Sequence, residues 1–203
     1  MRNDRISRLI VIGMAAALVL GALSLGGCKK STTNSQAPAS QQATAKAGFK
    51  TAQSVLSTTA PEAQLLLVQT AQVVTATETP VWEYIVGSPK TDKLYAIVVS
   101  HGLPQAQEYG AAELGSEWSK VPSADAWKID SDEALAKARA VYPNAKADTA
   151  YAMGMITYIP EAKKKPGSKA MTWFVQFDPQ TQGSLPTSTV QVDATTGEAS
   201  LAK

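Results

Sequence analysis

Apolar residues recur at helical spacing in two stretches of the chain and at strand spacing in several others. Ala45, Phe49, Ala52 and Leu56 are separated by four, three and four positions, which stacks them on one face of a helix. Ala134, Leu135, Ala138, Val141 and Tyr142 form a second stripe of this kind. Asp130 and Glu133, just ahead of it, have the spacing of a capping box, and Pro143 ends the pattern. Strand alternation is clearest where Trp82, Tyr84 and Val86 point one way and Glu83 and Ile85 the other. Trp173, Val175 and Phe177 alternate likewise with Phe174 and Gln176. Val190 and Val192 alternate with Gln191 and Asp193, which predicts a strand with one wet face. Ser88-Pro89-Lys90-Thr91-Asp92 and Thr195-Thr196-Gly197-Glu198 carry turn chemistry. From Gln105 to Ser123 the pattern weakens: Leu114, Trp118 and Val121 fit either a short amphipathic helix or an ordered connection.

These landmarks repeat. The Trp82–Val86 strand answers the Trp173–Phe177 strand, and Lys93–Gly102 answers Thr187–Gly197, with a register that drifts between them. The expected fold class is α+β: tandem αβββ halves, over 48–123 and 124–203, with helices packed on antiparallel sheets.

Upstream lies a different kind of segment. Arg2, Arg5 and Arg8 precede an uncharged apolar run from Leu9 to Leu25, which leads to Gly26-Gly27-Cys28. A basic start, an apolar middle and small residues before a cut form the layout of an export signal, here 1–27. The run also approaches the roughly 18 residues of a membrane span, and both readings leave the bulk of the chain outside the cytoplasm. From Ser31 to Ala47 the residues are mostly Ser, Thr, Asn, Gln and Ala, too polar to offset chain entropy by burial. Residues 28–47 are therefore expected to be a tether. Its polar part reaches about 60 Å when stretched and about 20–25 Å as a coil.

Charge narrows the functional classes. Removing 1–27 takes away Arg2, Arg5, Arg8 and Asp4, so 19 basic and 17 acidic residues become 16 and 16. A nucleic-acid partner calls for a basic face, which this balance does not supply. The Lys163-Lys164-Lys165 run before Pro166-Gly167 reads as a solvated hairpin tip, or as a contact for anionic headgroups or wall polymer. The chain has one cysteine, Cys28, so an intrachain disulfide has no second thiol. His101, the one histidine, sits between Ser100 and Gly102 at an expected strand end, where a turn fits better than a catalytic base. Zinc favours several His or Cys ligands. Asp130, Asp132 and Glu133 lack the glycine and distant glutamate of a calcium loop and read as helix caps. No phosphate-cradling glycine loop occurs. No catalytic residues, no metal and no cofactor are expected. Paired carboxylates for glycoside cleavage would be brought together by tertiary structure alone.

Two resemblances follow. Leu25-Gly26-Gly27-Cys28, directly before a polar tract, resembles the lipobox of a bacterial lipoprotein signal. The resemblance implies a diacylglycerol on the Cys28 thiol and Cys28 as first residue of the mature protein. Membrane lipid would then be its partner, at the outer, extracytoplasmic face of a bacterial membrane. The second half resembles a PepSY domain, through Trp127–Leu135, Trp173–Phe177 and above all Val190-Gln191-Val192-Asp193-Ala194-Thr195-Thr196-Gly197-Glu198. The first half would be a diverged copy, with Ser100-His101-Gly102 in place of the Asp-Ala-x-Thr-Gly ending. This likeness implies small α+β modules, cystatin-like when paired, found outside the cytoplasm and proposed to restrain peptidases. The functional expectation is a lipid-anchored binding or regulatory module whose partner is an exported protein such as a peptidase. The alternatives are an envelope-polymer hydrolase working through carboxylates and a structural envelope lipoprotein.

Overall fold

The first apolar stripe folds as helix α1 (Ala45–Thr59), with Ala45, Gly48, Phe49, Ala52 and Leu56 buried. Thr44 caps it by accepting the Ala47 N–H, and the chain turns away at Ala60-Pro61, where proline cannot continue a helix. The computed structural model describes residues 44–70, 80–142, 150, 152–163, 169–177 and 189–202. The expected signal, Cys28, the tether up to residue 43, Lys164-Lys165-Pro166-Gly167 and the 178–188 segment lie outside the described residues. The helix starts at Ala45, three positions before the expected boundary at 48, because Thr44 supplies the cap.

Among the described residues, eight strands form one antiparallel sheet: β1 (Gln64–Thr70), β2 (Trp82–Ser88), β3 (Lys93–Ser100), β4 (Leu103–Ala111), β5 (Ala152–Ile156), β6 (Thr172–Gln176), β7 (Thr189–Asp193) and β8 (Ala199–Leu201). Helix α2 (Ser131–Val141) precedes β5. The order across the sheet is β4-β3-β2-β1-β5-β6-β7-β8, which reads outward from the central β1–β5 pair in both directions. The α+β class is as expected, but each helix is followed by four strands rather than three. The strands that neither the alternating nor the repeated segments cover are β1, β4, β5 and β8.

Both helices cover the same face. Phe49, Leu56, Leu135 and Ala138 share one core with Val68, Tyr84, Ile97, Met155, Val175 and Val192. Burying one such large apolar side chain is worth about 1.5–3 kcal/mol, so this layer dominates the fold's stability. Three tryptophans lie at its centre. Trp173 meets Trp82 and Trp127 edge-on, with ring centroids 6.3 Å and 5.8 Å apart. The Trp127 and Trp173 indoles both donate to the Ile129 carbonyl, at 2.7 Å and 2.9 Å.

The helices meet at their N-termini. Asp130 Oδ1 accepts the Ser131 N–H of α2 at 2.7 Å and the Lys46 N–H of α1 at 3.0 Å. Ser131 Oγ accepts the Ala45 N–H at 3.0 Å. Asp130 is thus the expected cap, but with a different partner from the one its spacing suggests. Its carboxylate bridges two helix starts instead of reaching the N–H of Glu133, which bonds Asp132 Oδ1.

A close approach fixes α1 on the sheet. A Cβ on Gly48 would collide with the Tyr84 hydroxyl, which donates to the Ala45 carbonyl at 2.7 Å. Burial, with a smaller push from Asp130, raises the Tyr84 pKa, so the phenol stays a protonated donor. Gly48→Ala should therefore destabilise the fold by about 1–3 kcal/mol, although Ala is the better helix former by about 1 kcal/mol. Adding Tyr84→Phe should recover part of the loss by removing the colliding oxygen. Urea unfolding of the two single variants and the double variant checks this, and additive losses would refute it.

Candidate interaction surface

The opposite face of the sheet is treated differently along its length. Over β1–β3 it is covered by the connection after β4. Ala112, Leu114, Trp118 and Val121 pack on Ile85 and Leu94 as a second small core, with Leu66, Leu67, Ala96 and Tyr158 around it. Of the Gln105–Ser123 segment, expected to be a short helix or an ordered connection, Gln105–Ala111 is instead strand, and the remainder is a strap that holds a 3₁₀ turn over Gly115–Lys120. Trp118 lies over Gly87, where a Cβ would collide with the indole.

Polar bonds hold the strap. Trp118 Nε1 donates to Asp92 Oδ1 at 2.9 Å, the Glu113 N–H to Asp92 Oδ2 at 3.1 Å, and the Ala112 N–H to the Asp92 carbonyl at 2.7 Å. Asp92 (φ 54°) and Glu113 (φ 56°) occupy the left-handed region, a conformation that asparagine, aspartate and glycine enter more readily than glutamate. Tyr158 donates to Glu117 Oε2 at 2.8 Å. Partial burial and that bond push the Tyr158 pKa up to about 12.

The sheet's two edges also differ. β8 has three residues, whereas β4 has nine, nearly all exposed. The large apolar side chains exposed among the described residues are Leu103 (70%), Tyr109 (50%) and Leu201 (48%), and the first two belong to β4. β4 is joined to β3 by His101 (φ 51°) and Gly102 (φ 76°), a two-residue turn with both centres left-handed. In such a hairpin Ser100 and Leu103 form a hydrogen-bonded pair. Pro104, Ala106 and Glu108 then direct their backbone groups away from β3. Proline is tolerated there because its missing N–H would have faced solvent. The register slips between Leu94 and Tyr95, which makes Tyr109 the extra residue of a bulge. Glu108 is paired with Lys93 at 2.9 Å, an exposed bond that raises the Lys93 pKa.

His101 is a turn residue whose Nδ1 lies 2.9 Å from Ser100 Oγ, at an exposed hairpin tip. Asp130, Asp132 and Glu133 lie at the start of α2, and Glu133 also pairs with Lys137 at 3.5 Å. Trp173 is fully buried. Asp193 shapes the β7–β8 turn. Burial pushes its carboxyl pKa up, but the Thr196 and Thr195 N–H groups on Oδ1 outweigh this and hold it below the ordinary value. Lys163 ends a 3₁₀ turn (Glu161–Lys163) between β5 and β6. Among the described residues, no three His, Cys, Asp or Glu side chains are grouped so as to hold a metal ion. No helix among them is long and apolar enough to cross a membrane.

The β4 edge was not singled out from sequence. The sequence signal for it is local, a His-Gly pair directly after an apolar strand. Comparison with family models, curated proteins and solved structures gives no match.

Proposed function

We propose that this chain is a lipid-anchored, extracytoplasmic binding module that restrains an exported protein, with a peptidase as the favoured class. The observation that carries the reading is Leu25-Gly26-Gly27-Cys28, placed after three arginines and an apolar run and before a polar tract. The diacylglycerol sits on the Cys28 thiol, and residues 29–43 lead from there to the start of α1 at Ala45. Two acyl chains anchor stably, at roughly 0.8 kcal/mol per buried methylene.

The strand order mirrored about β1–β5 supports two PepSY-like halves, each a helix followed by four strands. So does the near-coincident placement of Trp82 on β2 and Trp173 on β6, each the second strand of its half. Such a module binds and does not catalyse.

The anchor is tested by expressing the full chain in a bacterium and taking the mass of its mature amino terminus. The expected result is a Cys28-initiated, acylated form in the membrane fraction, with Cys28→Ser left unprocessed and unacylated. An unchanged processed form in Cys28→Ser would refute it. Restraint is tested by adding the full chain, in detergent, to exported peptidases of the same cell. Slowed turnover that saturates with added protein supports the reading, and unaltered rates across them oppose it.

A further inference from the structure

We propose that β4 is a self-pairing edge, and that two copies of the chain join by antiparallel β4–β4 pairing about a two-fold axis through Ala106. Pro104, Ala106 and Glu108 face away from β3, so the free edge offers three carbonyls and two N–H groups. Centring the axis on Ala106 pairs Ala106 with its copy through two hydrogen bonds, and each Glu108 N–H with the partner's Pro104 carbonyl. That is four bonds, and Pro104 never has to donate.

Side chains select the same register. With Ala106 opposite itself, Leu103 falls opposite Tyr109 of the second copy, and Tyr109 opposite its Leu103. These are the two most exposed large apolar residues described, and the register covers both, twice. Gln105 falls opposite Gln107, a pair able to exchange amide hydrogen bonds across the axis. The two Glu108 carboxylates stay about 14 Å apart along the strands, beyond a Debye length, and each keeps its own Lys93. Moving the axis to Gln107 also gives four backbone bonds, but sets Leu103 against Ala111 and Tyr109 against Gln105, which strands both apolar groups.

This is an isologous contact, in which the same patch serves both partners. The bulge at Tyr109 and the missing donor at Pro104 give it a defined length. Both would ordinarily blunt an edge, and here they limit the strand to one favoured register. β8, with three residues, offers no comparable edge.

The test is the mass of the full chain in detergent micelles by sedimentation, over a hundredfold range of concentration. The expected result is a monomer–dimer equilibrium. Ala106→Pro removes the two donors at the axis while leaving the β3–β4 ladder intact, and should leave a monomer with an unchanged circular dichroism spectrum. Leu103→Ser with Tyr109→Ser should raise the dissociation constant by roughly tenfold or more. In a Cys28→Ser background, a mixture of Gln105→Cys and Gln107→Cys chains should crosslink on oxidation, since Cα atoms of such a non-hydrogen-bonded pair lie about 4.5 Å apart, and Gln107→Cys alone should not. A monomer at every concentration overturns the proposal and leaves the edge to a strand from another protein. A dimer indifferent to Ala106→Pro overturns it by placing the contact elsewhere. Crosslinking of Gln107→Cys alone, but not of Gln105→Cys with Gln107→Cys, overturns the register.

Discussion

Trp173→Ala should cost about 3–5 kcal/mol, enough to bring the whole molecule close to unfolding. The side chain is fully buried and meets Trp82 and Trp127 edge-on, so truncation opens a cavity between two rings that cannot collapse onto each other. The polar part of the loss is small. The Ile129 carbonyl keeps its bond from Trp127 at 2.7 Å when the Trp173 indole is gone, so no buried acceptor is orphaned. Trp173→Phe, which retains most of the ring volume, should accordingly cost about 1–2 kcal/mol. Urea unfolding followed by circular dichroism separates the two cases. Equal losses for Ala and Phe would mean that the hydrogen bond, and not packing, carries the residue.

Asp130→Ala should cost about 2–4 kcal/mol, more than an ordinary helix cap, because one carboxylate serves two helices. A single cap is worth about 0.5–2 kcal/mol. Here the Lys46 and Ser131 N–H groups would both lose their acceptor, 84 positions apart in the first case. Asp130→Asn keeps an oxygen in the same place, and asparagine caps about as well as aspartate, so most of the stability should return. Ser131→Ala, which frees the Ala45 N–H alone, should fall between wild type and Asp130→Ala. Unfolding midpoints in urea rank the three variants. An Asp130→Ala loss no greater than that of Ser131→Ala would show that the carboxylate does not join the helices.

Legibility in the sequence tracked how each element is buried. α1 has one buried face, and Ala45, Phe49, Ala52 and Leu56 announce it at the right spacing. β6 shows the same clarity in Trp173 and Val175, on the side facing the helices. β1 does not alternate. Val68 belongs to the helix-side core while Leu66 and Leu67 pack under the strap, and the register slip between Leu65 and Leu67 breaks the period-two signal. β4 failed as a pattern for the opposite reason: nearly everything on it is exposed, so no buried face writes an alternation. Asp130 was recognisable as a cap from its place before an apolar stripe. Its second bond, to α1, depends on tertiary structure, and no spacing rule encodes it. The β4 edge was recoverable from its turn chemistry. The mirrored sheet order was not, since the β1–β5 pairing that generates it joins distant segments.

That central pairing bears on how the protein is made. A chain that leaves the ribosome from its amino end presents β1–β4 well before β5. The Thr157 side chain that ties to the Leu65 carbonyl lies 92 positions downstream. Until it arrives, Leu65-Leu66-Leu67-Val68 has an open inner border, a short apolar run of the kind that seeds misassembly. The nascent first half thus passes through an interval of vulnerability that ends when β5 docks. A chaperone that covers this border until β5 emerges should raise the yield of folded protein.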